Sequence, residues 1–408
     1  MDLRTIRMST ITASAVPNRD AAAPGAWSAV LALSLCVATL IASEFMPVSL
    51  LSPIAADLHL TEGQAGQAIS VSGAFAVLAS LFSASLTRGV DRRHVVLGFT
   101  ALLVVSGLTV CLAPNQAVLM GGRALLGIAI GGFWSMSTAI VMRLLPRDLV
   151  PQGLAFLNAG NAIAATVSAP LGSFLGASVG WRWAFFLVVP LAVVAFVWQW
   201  MRLPSLPARN TGTGVASVFG LLARPSVTLG MAGILMLFAG QFALFTYLRP
   251  FLEGVTHLDI ATLSSMLLAM GLAGVAGTWT IGRLLRTRLF GLLIAIPLAM
   301  AAVAVALMAV GAHAVPTAFL LVAWGFFGTA APVGWGTWLA RTLPDEAEAG
   351  GGLQVAVIQL AITAGAASGG FLFDALGWQA SFGLAATLLC LSAFFAALAW
   401  RSAGSVQP

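Results

Sequence analysis

The chain has 408 residues, of which 60% are hydrophobic and only 8% charged, with a mean hydropathy of +0.99, whereas a soluble domain carries about 25% charge. All 19 basic residues are arginine, which excludes a phosphate loop that needs lysine after its glycines and lysine Schiff-base chemistry. The isoelectric point near 10.8 comes without the clustered basic stripe that nucleic-acid binding uses, so no nucleic-acid partner is expected.

A spanning helix needs about 20 mainly apolar residues, so a chain of this length holds twelve with short loops and no separate soluble domain. Residues 1–26 are polar, carry Pro17 and Pro24, and read as a cytoplasmic tail. The apolar run from Trp27 continues past Glu44 to Leu51, too long for the core of a signal peptide, and is the first predicted span. Further spans are predicted over 64–86, 94–113, 117–143, 153–178 and 183–201, then 227–249, 261–282, 289–310, 317–340, 353–373 and 379–400. The longest interruption, 202–226, contains Pro204, Pro207, Gly212 and Gly214 and reads as a cytoplasmic linker. The expectation is an all-α membrane protein of twelve transmembrane helices in two six-helix bundles, 27–201 and 227–400, with a short tail at 401–408.

Arginine position tests this layout, because Lys and Arg accumulate in short cytoplasmic loops. With the N-terminus inside, Arg182 and Arg249 fall outside, Arg123 falls within a span, and the other arginines are cytoplasmic. The halves also repeat: "GWRWAF" at 180–185 recurs as "GWQASF" at 377–382, and "RLLP" at 143–146 as "RTLP" at 341–344, as parallel six-helix repeats would. Cys36, Cys111 and Cys390 sit in apolar runs, as packed free thiols do. His59, His94, His257 and His313 lie far apart without metal-ligand spacing, so neither a metal nor a cofactor is expected.

Glu44, in "ASEFMPVSLL", is the most conspicuous acid in any span. An ionisable group there costs roughly 2.5–3.5 kcal/mol on insertion scales and normally faces a cavity or a partner, unless it reaches the headgroups. Arg123, in "GRALLGIAIGGF" of the fourth span, is its natural partner: at 1.5 Å per residue the two lie about 12 and 9 Å from the same membrane face. A carboxylate balanced between an arginine and burial can exchange a proton as a cavity opens; a fixed structural hydrogen bond is the alternative for Arg123. Gly127 and Gly131, like Gly365 and Gly369, permit close helix approach. Pro170, followed by Gly172 and Gly176, makes a hinge or a tight seam. Asp91, Arg92 and Arg93 in "TRGVDRRH" either close an inner gate by pairing across the bundles or anchor the topology. Amides at Asn158, Asn161, Gln241 and Gln359 either join helices or line a cavity. The aromatics Trp134, Phe242, Tyr247 and Trp335 accompany them.

These motifs resemble the major facilitator superfamily, in its twelve-span drug:H+ antiporter branch. Arg123, Gly127 and Gly131 match the family's fourth-helix pattern; the fifth-helix motif has Ala169 in place of the glycine before Pro170; and Asp91-Arg92-Arg93 remains of the loop motif. Within the branch, "SEFMPVSLLSPIA", "GGFWSMS", "FAGQFALFTYLRP", "PVGWGTWLAR" and "QVAVIQLA" are similar to purine ribonucleoside efflux pumps. The resemblance implies a monomeric, non-enzymatic exporter of nucleosides such as inosine and guanosine from the bacterial inner membrane, driven by proton antiport. Both termini are then cytoplasmic. Glu44 and Arg123 would couple protons, Trp134, Asn158, Asn161, Gln241, Phe242, Tyr247, Trp335 and Gln359 would bind substrate, and Asp91, Arg92, Arg93 and Pro170 would gate. Drug, sugar or amino-acid efflux is the alternative for the same fold.

Overall fold

The computed structural model describes residues 24–87, 89–146, 149–207, 219–343 and 346–404; most of the expected terminal tails and the middle of the linker lie outside the described residues, while 24–26 and 401–404 continue the first and last helices. Among the described residues twelve helices are long and apolar enough to cross a membrane: α1 (Gly25–Leu58), α2 (Glu62–Ser83), α3 (Arg92–Cys111), α4 (Gln116–Leu144), α5 (Gln152–Ser178), α6 (Trp181–Arg202), α7 (Pro225–Gly254), α8 (Ile260–Leu285), α9 (Thr287–Val310), α10 (Ala314–Thr342), α11 (Ala349–Leu376) and α12 (Trp378–Ser402).

Short polar residues start several of them by taking up backbone N–H groups that have no helical acceptor. Thr61 and Gln64 form a reciprocal capping box on α2, Asp91 caps α3, Asn115 caps α4 and Asp259 caps α8. The sequence repeat has a backbone counterpart. Gly180 and Gly377, the glycines of the repeated hexapeptide, both have positive φ, at 89° and 86°. His59 and His257 do too, each at 54°, and each lies just past a helix that runs to the same face.

Three boundaries differ from the sequence expectation. α1 runs on through Pro53 to Leu58, because a proline inside a spanning helix is tolerated when other groups bond the carbonyl it frees. Arg249, expected in an outer loop, lies inside α7 and is buried. The arginine-rich 283–288 stretch is a helical reversal in which only Arg288 leaves helical geometry (φ −129°, ψ 40°).

In the first half α1 packs on α5 and α6, α2 on α4, and α3 on α4 and α6; in the second α7 packs on α11 and α12, and α8–α9 on α10 and α12. The halves meet through α2 against α11 and α5 against α8, pairs that the internal repeat makes equivalent. Gly127 and Gly131 press against the backbone of Ser72 and Ala76, and Gly365 and Gly369 against that of Ala239 and Ala243, so a side chain at any of the four would push two helices apart. Each half keeps its own apolar core, around Leu40, Leu126 and Phe133 in one and Trp324, Trp335 and Phe382 in the other.

Candidate functional site

Two prolines in α1 prepare the site. Proline has no N–H, so Pro47 leaves the carbonyl of Ser43 without a helical donor and Pro53 does the same to Ser49. A freed carbonyl in an apolar interior needs another donor. Arg123, wholly buried in α4, supplies the first: Nη1 donates to Ser43 O at 2.7 Å, Nη2 to Glu44 O at 3.2 Å and Ser72 Oγ at 3.1 Å, and Nε to Ala68 O at 2.9 Å. Arg249 of the second half supplies the other, donating to Ser49 O while its Nε donates to Glu253 at 2.7 Å.

Arg123 therefore clasps the backbone of Glu44 and not its carboxylate. Among the described residues Glu44 has no ion pair within 4.0 Å, yet it is only 3% exposed and feels the charge of Arg123. Its side chain lies within reach of Gln359 of α11, across the seam between the bundles. Beside it Phe45 meets Phe242 and Phe245 of α7, with ring centroids 5.8 and 6.4 Å away. Among the described residues two buried amide oxygens, on Gln241 and Gln359, have no hydrogen-bond partner; the Gln241 amide lies against Gly328, whose carbonyl Pro332 frees. An aromatic wall, open acceptors and a buried carboxyl group can together hold a flat polar solute and exchange a proton.

The structure brings Glu44, Arg123, Phe242 and Gln359 to one place on the bundle seam. Apart from Gln241, which precedes Phe242 and lies against Gly328, the remaining candidates lie elsewhere. Tyr247 is sealed between α2 and α11, its hydroxyl donating to Ala366 O at 2.7 Å and its ring stacked on Phe373 at 5.2 Å. Trp335 is buried against Gly233 and Trp338 within the second half, and Trp134 is half-buried on the core of the first. Asn158 is exposed and turned back onto Leu154 O, while Asn161 is half-buried. Pro170 frees the carbonyl of Thr166, which faces Gly271 where α5 crosses α8.

The expectation that Asp91 pairs across the bundles does not match this conformation. Its carboxylate accepts from Ser205 Oγ at 2.5 Å, from Leu206 N at 2.9 Å and from Arg93 N at 2.9 Å, the first two in the linker and the third in the first half. Arg92 donates to Thr87 and Arg93 to Trp200 O. The trio fastens the start of α3 and Thr87 to the end of α6 and the start of the linker.

A family model described as Major Facilitator Superfamily matches residues 32–349. The chain belongs to the major facilitator superfamily. A protein of Pseudomonas aeruginosa named transcription regulatory protein OpdE is 53% identical over 388 residues, covering 94% of this chain and 96% of that one. The purine ribonucleoside efflux pump NepI of Salmonella paratyphi B is 42% identical, covering 93% and 95%. In fold, the chain superposes with a TM-score of 0.76 and 16% identity on a bacterial homologue of the human lysosomal transporter Spinster in an inward-facing, unoccupied conformation, covering 94% of this chain and 98% of that one. Twelve apolar helices in a superfamily of carriers make this a multi-pass membrane transporter. Sequence reasoning missed Phe45, Ser72 and the carbonyl of Ser43; only the spacing of Pro47 four residues after Ser43 carried a signal for them.

Proposed function

We propose that the protein exports purine ribonucleosides across the bacterial inner membrane in exchange for protons, with both termini in the cytoplasm and without catalytic chemistry. The observation that carries this is Glu44: a buried carboxyl without an ion pair among the described residues, held on a backbone clasped by Arg123 and within reach of Gln359 of the opposite bundle. A proton added there changes the charge at the seam that must part and re-form in alternating access, which is how proton binding and bundle rocking become one equilibrium. The arginine distribution supports the sidedness, putting Asp91 inside and Thr61 outside, and the contacts on the Thr61 face then make this the inward-facing form. Phe45, Phe242 and Phe245 suit stacking on a purine, and Gln241 and Gln359 suit its edges or the ribose hydroxyls. The 42% identity to NepI over nearly the whole chain supports the nucleoside.

The test uses protein in liposomes loaded with labelled inosine. A proton gradient should drive uphill inosine movement, competed by guanosine but not by ribose or a lipophilic cationic dye. Glu44→Gln should abolish the uphill component while keeping inosine exchange. Competition by the dye or by free sugar, with nucleosides inert, overturns the substrate; full uphill transport by Glu44→Gln overturns the coupling. The regulatory name of the Pseudomonas relative suggests a second reading, in which the chain governs transcription. Under the carrier reading, any such effect comes from solute flux and disappears with Glu44→Gln.

A further inference from the structure

We infer that Asp374, at the end of α11, is the latch that holds the Thr61 face of the transporter shut. Its Oδ1 accepts from the backbone N–H of Gly63 at 3.0 Å and its Oδ2 from the hydroxyl of Thr61 at 2.5 Å. The donors are the cap residue and a first-turn residue of α2, in the other bundle. A carboxylate from one bundle thus caps the positive end of a helix in the other, where unpaired N–H groups and the helix dipole favour an anion.

The surrounding residues are shaped to let this contact form. At Gly63 a Cβ would strike the Asp374 carboxylate and the carbonyl of Gly370, and at Gly66 and Gly370 it would strike the Tyr247 hydroxyl. Tyr247 itself bonds to Ala366 O, and Arg249 reaches across to the carbonyl of Ser49 that Pro53 has freed. One turn deeper Ile69 is fully buried among residues of the second half. On the opposite half of the seam the stripe of α5 that faces α8 comes out of contact. Ala159 lies seven residues, two helical turns, before the Thr166 that touches Gly271, hence on the same stripe of α5, and it is exposed.

The latch must open in every cycle, so its strength sets how the carrier divides its time between the two open states. The inference rests on the chain being an alternating-access carrier and not on its substrate. A charge-assisted cap contributes about tenfold to such an equilibrium.

The test places single cysteines at Ile69 or Ala159 in full-length protein lacking Cys36, Cys111 and Cys390, and measures labelling rates with a membrane-impermeant maleimide applied from the appropriate side. Asp374→Ala should speed labelling at position 69 about tenfold and slow it at position 159, because opening one face closes the other. Gly63→Ala, which leaves the carboxylate but obstructs its seat, should shift both reporters the same way. Asp374→Asn keeps the shape and loses the charge, and should fall between; it also decides the question if the alanine variant does not fold. No change at position 69, or faster labelling at both positions, overturns the latch, the latter because it reports general loosening. An imposed proton gradient on the unmutated latch moves the two reporters in opposite senses in a proton-coupled alternating carrier, so failure of the proposed coupling is seen separately.

Discussion

Replacing Arg123 by lysine keeps the charge and removes the geometry, which makes it a sharp probe of the backbone clasp. The guanidinium reaches Ser43 O and Glu44 O on α1 as well as Ala68 O and Ser72 Oγ on α2. A single ammonium nitrogen cannot straddle both helices. Ala68 O keeps a helical donor when abandoned, at a cost of about 1 kcal/mol, but Ser43 O has none because residue 47 is proline, and a buried acceptor left unmade costs about 1–3 kcal/mol. Arg123→Lys should therefore destabilise the protein by about 2–4 kcal/mol. Pro47→Ala supplies the missing N–H, so in that background the same change should cost about 1–2 kcal/mol less. Reversible unfolding in mixed micelles, run as a double-mutant cycle on the four proteins, measures the difference. Additivity within about 0.5 kcal/mol would refute the claim that Arg123 stands in for the donor that Pro47 lacks.

Asp91 gives a pH test outside the membrane: its slight burial pushes the carboxyl up, but the hydrogen bonds from Ser205, Leu206 and Arg93 outweigh this and hold it below the usual 3.8. A depressed acid stabilises the fold above its unfolded pKa and loses that contribution as pH falls through the folded value, so the melting-temperature gap between the wild type and Asp91→Asn should be constant from pH 7 to about 5 and close below about 4; a gap that widens on acidification contradicts the assignment. Gly131→Ala should lose about 1–3 kcal/mol by driving a methyl into the backbone of Ala76, whereas Gly98→Ala, with open space around it, should gain about 0.4–1 kcal/mol, both read from denaturant midpoints. Tyr247→Phe should lose about 1 kcal/mol with the bond to Ala366 O and, by weakening the same seam, speed labelling at position 69.

The twelve spans were legible because each is a run of apolar residues long enough to cross a bilayer, and backbone hydrogen bonding in lipid allows a chain few other choices. The repeat of glycine-tryptophan motifs was legible too, although that the glycines adopt positive φ was visible only in the backbone. Glu44 and Arg123 stood out as ionisable groups where such groups are expensive, so their proximity could be anticipated. What Arg123 binds could not, because the deciding feature is a missing amide at position 47, and prolines in spans have several consequences. Asp374 falls just past the span expected over 353–373 and carried no local signal; its importance comes from α11 ending where α2 begins, a fact of three-dimensional arrangement that no local pattern encodes. Phe45 and Ser72 are unremarkable residue types in a membrane helix and acquire meaning only from their neighbours.

Because the arginine is satisfied by peptide oxygens, its positive charge does not depend on the state of the nearby acid. The pair then has a net charge of +1 when Glu44 holds a proton and 0 when it does not. Under the proposed coupling, the membrane voltage acts on the centre only during the proton-carrying half of the cycle, and the half that carries a neutral nucleoside crosses without electrical work. A current measured under proton-driven turnover should consequently vanish during nucleoside exchange, and the carrier would draw on the electrical as well as the chemical part of the proton gradient, at about 2.3 kcal/mol per 100 mV for each charge moved.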